Sequence, residues 1–71
     1  MERTRVSSSN LRSVGYEASS STLEIEFLDG GVYQYYSVPE SRYSGLIAAS
    51  SKGSYFDSYI KKGGYRFKKV R

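Results

Sequence analysis

Residues 22–38, TLEIEFLDGGVYQYYSV, constrain the chain more than any other stretch. Leu23, Ile25 and Phe27 alternate with Glu24 and Glu26, the period of two in which successive side chains point to opposite faces of a strand. Asp29, Gly30 and Gly31 follow, and glycine supplies the positive φ that tight hairpin turns require. A second strand, VYQYYSV, then returns alongside the first. Register decides which of its tyrosines are buried, because a slip of one residue exchanges the two faces. A three-residue loop of Asp29–Gly31 sets Tyr33 and Tyr35 opposite Phe27 and Ile25. A two-residue loop of Asp29 and Gly30 sets them beside Glu26 and Glu24. The chain has only 71 residues, of which eight are tyrosine and three phenylalanine. A domain this small buries barely enough surface to fold, so burial of Tyr33 and Tyr35 is expected, with Tyr36 turned outward beside Glu24.

The flanking sequence supplies the remaining elements. Residues 10–16 form a strand with Val14 and Tyr16 on one face, and residues 17–21 a polar loop. Pro39 fits the first position of a helix, where its missing N–H costs nothing, and Glu40 complements the positive end of the dipole. Tyr43, Leu46, Ile47 and Ser50 recur at helical spacing. Gly45 either weakens this helix or admits a close neighbour. A second, shorter helix carries Phe56, Tyr59 and Ile60 on one face, with Lys61 and Lys62 at its negative end and Gly63 as its stop. Finally Tyr65 and Phe67 alternate with Arg66 and Lys68, a strand with one apolar and one basic face. The order β-β-β-α-α-β predicts an α+β fold: one small domain over residues 1–71, its core at about 6–65, with an antiparallel sheet of three to four strands and two short helices packed on one face. The other face is left to solvent.

Composition excludes several classes of function. There is no cysteine, hence no disulfide and no thiolate metal site. MERTRVSSSN has charges where a signal peptide needs an apolar run, and nothing approaches the ~20 apolar residues of a membrane span, so a cytoplasmic protein without a membrane partner is expected. Histidine is also absent and the seven carboxylates are scattered singly. SYIK, residues 58–61, formally matches a serine nucleophile with its lysine, but that chemistry needs a cleft and an oxyanion hole on a larger scaffold. The expectation is a protein without catalytic activity, cofactor or metal.

Several motifs occur together in a familiar order: SSSNLRSVGYE, then YQY followed two residues later by VP, then SKGSYF. From about Val6 to Tyr65 the sequence resembles the KTSC domain, a family found at the C-terminus of some lysyl-tRNA synthetases and as free-standing small bacterial proteins. Its central Y-x-Y pair falls on Tyr33 and Tyr35. The resemblance implies RNA binding as a candidate role. Asp57 stands where many relatives carry an amide, and Glu17 where they carry aspartate.

The charge distribution points the same way. Lys61, Lys62, Arg66, Lys68, Lys69 and Arg71 place six cations in the last eleven residues, whereas the first sixty hold five basic and seven acidic side chains, a net of −2. Such a segment attracts polyanions. The candidate RNA surface is therefore Lys61, Lys62, Arg66, Lys68 and Lys69 with Lys52 and Arg12, and Tyr33, Tyr35 and Tyr36 are candidates for stacking on unpaired bases. Two other readings stay open. An aromatic-rich domain of marginal size suits a protein partner or a homo-oligomer. Lys52, Gly53 and Ser54 could bind a nucleotide-sized anion at a helix N-terminus, as in a phage-associated binder, unless Ser54 and Asp57 form a capping box that uses the same donors internally.

Overall fold

The computed structural model describes residues 1–71. Five strands form a single antiparallel meander in sequence order: β1 Thr4–Arg5, β2 Leu11–Glu17, β3 Thr22–Phe27, β4 Val32–Tyr35 and β5 Phe67–Lys69. Two helical segments lie between β4 and β5: α1 Glu40–Ala48, and α2 Lys52–Tyr55, which continues as a π-helical stretch over Phe56–Lys61. The sheet thus has one strand more than the three to four expected. The additional strand, β1, has two exposed residues with no apolar alternation, and backbone pairing to Val14 and Ser13 holds it.

The β3–β4 hairpin keeps the expected parity with a different loop. Phe27 N–H donates to the Gly31 carbonyl at 2.9 Å, and Gly30 N–H to the Phe27 carbonyl at 2.9 Å, so the three loop residues are Leu28, Asp29 and Gly30. Gly30, at φ 95°, takes the left-handed position that such loops reserve for glycine. Tyr33 pairs with Ile25 and Tyr35 with Leu23, two residues from the expected register and on the same face. Both tyrosines therefore point toward the helices. In β2 the pairing shifts between Leu11 and Ser13, and this irregularity puts Leu11 and Val14 on one face despite their odd spacing.

Leu11, Val14, Leu23, Ile25, Val38, Leu46 and Ile60 are fully buried between sheet and helices, with Tyr35 and Phe56 completing the cluster. Tyr16 packs its ring on Tyr43 at 5.2 Å and donates its hydroxyl to the Val38 carbonyl at 2.6 Å, tying α1 to the sheet. Gly45 admits a neighbour: a Cβ there would collide with the Tyr55 ring and hydroxyl.

Five local expectations are corrected. Pro39 is the N-cap, with extended backbone at ψ 150°, and the helix proper begins at Glu40. Ser50 lies beyond α1 and is exposed. The second helix begins at Lys52, so Ser54 is inside it; no capping box forms, and Asp57 pairs with Lys62 at 3.3 Å. Tyr59 does not share the buried face of Phe56 and Ile60. Lys62 N–H reaches back five residues to the Asp57 carbonyl at 3.2 Å, and this wider winding leaves Tyr59 46% exposed beneath the Arg42 guanidinium. Tyr65 precedes β5 rather than belonging to it.

Candidate nucleic-acid interface

The face of the sheet turned away from the helices is built by register. Arg5, Ser13, Glu26 and Val32 lie side by side across β1 to β4. The next row is Gly15, Glu24, Gln34 and Lys68 across β2 to β5. Beyond it, Tyr36 N–H donates to the Arg66 carbonyl at 2.9 Å, which puts Arg66 on the face of Lys68. Arg3 crosses Gly15, where a Cβ would strike the Glu2 carbonyl and the Arg3 stem, and its guanidinium reaches Glu24 and, at 3.7 Å, Glu26. Glycine at position 15 is what lets the arginine lie flat across the sheet.

These contacts leave the two central carboxylates fully engaged. Glu24, only 7% exposed, also accepts from Gln34 Nε2 at 2.8 Å, and Gln34 in turn accepts from the Tyr36 hydroxyl at 3.2 Å. Glu26 accepts from Ser13 Oγ at 2.8 Å and pairs with Arg71 at 3.2 Å. The Ser13 hydroxyl above all, then the charges of Arg3, Arg12 and Arg71, hold its carboxyl below the usual range. Arg5 and Arg12 flank an open recess of ≈ 380 Å³ beside Glu26, with Arg12 anchored on the Leu28 carbonyl at 3.0 Å. Six cations (Arg3, Arg5, Arg12, Arg66, Lys68 and Arg71) share this face with three carboxylates (Glu17, Glu24 and Glu26), and 6 − 3 leaves a net +3.

The basic residues expected to act together do not all meet here. Arg66 and Lys68 do. Lys61 lines a cleft on the helix side, and Lys69 pairs with Tyr33 on that same side. Lys62 is exposed against Asp57. Lys52 turns back to donate to the Ala49 carbonyl at 3.0 Å, and the Asn10 carboxamide covers Gly53, where a ligand was expected to approach. Ser54 is exposed and makes no hydrogen bond through its hydroxyl, so Lys52, Gly53 and Ser54 do not converge on one space. Of the three stacking candidates, Tyr36 is on the open face and Tyr33 and Tyr35 line the cleft.

Sequence reasoning missed Arg3 and Arg5, which supply a third of the cations of the open face. A signal was present: Arg3-x-Arg5 has the same period of two as Glu24-x-Glu26, the pattern expected when complementary charges share one face of a sheet.

Burial, and to a smaller degree the adjacent Tyr33 phenol, pushes the Tyr35 hydroxyl up to about 12. The folded value lies above the ordinary 10.0, so the unfolded chain ionises first: this contribution to stability is present below pH 10 and is lost as pH rises toward 12. An ultraviolet titration is expected to contain a phenolic component near pH 12 that Tyr35→Phe removes. An identical curve for the variant contradicts the assignment.

A small α+β domain, with a five-stranded antiparallel meander covered on one face by two helices, is the class this architecture defines. Its sequence matches the family model of the KTSC domain over residues 7–67, and the chain belongs to that family. A KTSC domain protein of Yersinia pestis, known from its crystal structure, superposes with a TM-score of 0.93 at 41% identity, covering 99% of this chain and 97% of the other. A protein of Stutzerimonas stutzeri is 37% identical over 70 residues and covers 99% of both chains. A lysine–tRNA ligase of Nostoc punctiforme is 40% identical over 60 residues, which is 84% of this chain and 10% of that protein. No helix is long and apolar enough to cross a membrane.

Proposed function

We propose that this chain is a non-catalytic, cytoplasmic RNA-binding module that holds the phosphate backbone on the open face of its sheet. The observation that carries the reading is the gathering of Arg3, Arg5, Arg12, Arg66, Lys68 and Arg71 on one face, where the central carboxylates Glu24 and Glu26 are already hydrogen-bonded and ion-paired. A polyanion laid across it meets an excess of guanidinium groups, which suit phosphate oxygens through paired donors. The match to about a tenth of a lysine–tRNA ligase favours RNA among polyanions, since that relative's name places it with tRNA. Contacts to phosphate position a strand without reading its bases, so sequence preference should be small.

Fluorescence anisotropy with a labelled single-stranded oligonucleotide tests this. Each phosphate neutralised on a single strand contributes about −0.7 to the slope of log affinity against log salt, so three to five contacts predict a slope of roughly −2 to −3.5. Affinity independent of salt contradicts the reading.

A second reading has one observation in its favour. β5 is an edge strand whose outer side is unpaired, with Phe67 61% exposed on it and Val70, just past its end, 43% exposed. Pairing with a protein strand, including a second copy of this chain, would cover them. Light scattering at high concentration distinguishes the homo-oligomer: a monomeric mass excludes it.

A further inference from the structure

On the helix side, β4 and β5 diverge from the π-helical stretch and leave a cleft of ≈ 530 Å³, within the span of roughly 300–1,000 Å³ that small-molecule sites occupy. Its walls are aromatic. Tyr33, Tyr35 and Phe67 form one side, with the Phe67 ring 5.5 Å from Tyr35 and 6.2 Å from Tyr33, and Phe27 and Phe56 close the base. Phe67 is 61% exposed, so one of its ring faces is open to whatever enters.

The polar groups of the cleft are few, and two of them, the tyrosine hydroxyls, are unspent. The Tyr33 and Tyr35 hydroxyls have no hydrogen-bond partner in the protein, and no buried side-chain atom is left unsatisfied, so neither is sealed from the cleft, although Tyr35 as a whole is only 6% exposed. Phenylalanine would pack as well at either position without a polar group to satisfy. The Asn10 carboxamide and the Asp29 and Asp57 carboxylates add acceptors, with Asn10 Oδ1 accepting from Ser8 Oγ at 3.1 Å, Asp29 Oδ1 from the Gly31 N–H at 2.9 Å, and Asp57 held by Lys62 at 3.3 Å. Lys61 lines the cleft, and Lys69, paired with Tyr33, stands on the same side of the sheet. The wide winding of the π segment carries Asp57 and Lys61 to the cleft while Phe56 and Ile60 stay in the core.

We infer that this cleft binds a nucleobase. A flat ring between aromatic faces accounts for the exposed Phe67. Hydroxyls that both donate and accept, beside a carboxylate and a carboxamide, suit the mixed edge of a heterocycle better than a hydrocarbon. Asp57 is paired with Lys62, and Asp29 and Lys61 balance in the lining, so the cleft carries no excess of positive charge and the base is what it recognises. The site lies across the sheet from the cationic face and does not depend on it. The same chemistry is offered by a free nucleotide and by the unpaired end of a strand, and the test separates them.

Two-dimensional NMR and calorimetry with the four ribonucleoside monophosphates, ribose 5-phosphate and a short single-stranded oligonucleotide give the answer. At least one monophosphate, or the oligonucleotide, is expected to shift the resonances of Tyr33, Tyr35 and Phe67. Phe67→Ala should weaken binding about tenfold, the loss of one stacked base. The double variant Tyr33→Phe/Tyr35→Phe keeps the rings and should weaken monophosphate binding through its lost hydroxyls. Binding of the oligonucleotide alone identifies a strand end as the source, and binding of a monophosphate identifies a free nucleotide. No binding of either at millimolar concentration, equal binding of ribose 5-phosphate, or binding indifferent to Phe67→Ala overturns the inference. Monophosphate binding is read at the cleft resonances and the open face by the salt slope of the oligonucleotide, so failure there and failure here are separately visible.

Discussion

Phe56→Ala is expected to remove most of the stability of the domain. Phe56 is 4% exposed, and its ring meets Phe27 and Tyr35 edge-on at centroid distances of 5.4 and 5.5 Å. Truncating a buried phenylalanine costs about 3–5 kcal/mol, through lost burial and the cavity left behind. A chain of this length has roughly 4–10 kcal/mol in total at ~0.05–0.15 kcal/mol per residue. In a domain of this size each kcal/mol lowers the melting temperature by about 4–8 °C, so a drop beyond ~10 °C, or no cooperative transition at all, should appear in circular dichroism. Tyr59→Ala is the control. Its ring is 46% exposed and has the Arg42 guanidinium 4.8 Å from its centre, a contact of about 0.5–1 kcal/mol at a surface. Equal losses for the two variants would contradict the π-helical winding that separates them.

Arg3→Met should also be costly, for an electrostatic reason. Glu24 lies in the sheet at 7% exposure, with Arg3 as its counter-ion and Gln34 as its remaining donor. Methionine retains an apolar stem over Gly15 and removes the charge, which leaves a poorly solvated carboxylate. Breaking a buried pair from one side costs about 3–5 kcal/mol, and the arginine here is partly solvated, so about 1–3 kcal/mol is expected. Gly15→Ala should produce a comparable loss by another route, since its methyl group displaces the Glu2 backbone and Arg3 together. Glu26 adds a pH dependence. Its folded carboxyl is held below 4.5 by Ser13, Arg3, Arg12 and Arg71, so its contribution is present above pH 4.5 and is lost as pH falls. Urea melts of the three proteins at neutral pH check the ordering. Full stability in Arg3→Met would show that β1 does not hold the sheet face together.

The elements governed by periodicity were legible in the sequence. Leu23-x-Ile25-x-Phe27 fixed β3, and the helix-side placement of Tyr33 and Tyr35 followed from parity even though the loop is Leu28–Gly30 rather than Asp29–Gly31, with Tyr35 buried as expected and Tyr33 only half-buried. Parity survives a shift of two residues, and for that reason a misplaced loop did no harm. β1 was not legible, because two exposed residues held by backbone hydrogen bonds carry no hydrophobic pattern. Its omission divided the basic residues wrongly. The open face takes Arg3 and Arg5 from β1, whereas Lys61 and Lys69 go to the aromatic cleft. The second helix was placed too late because Ser54 and Asp57 imitate a cap, while Ser51 occupies the N-cap position without a side-chain hydrogen bond.

Two charge-reversed proteins compare the faces directly. Arg5→Glu/Lys68→Glu changes two exposed positions of the open face, and Lys61→Glu/Lys69→Glu two exposed positions on the helix side, with identical changes in net charge. Anisotropy titrations against one single-stranded RNA at several salt concentrations should show the first protein losing most of its affinity and about 1.4 units of salt slope, two contacts at ~0.7 each. The second should retain the slope of the unmodified protein. Equal losses in both would mean that net charge rather than the sheet face attracts RNA, and loss confined to the second would move the phosphate path to the cleft.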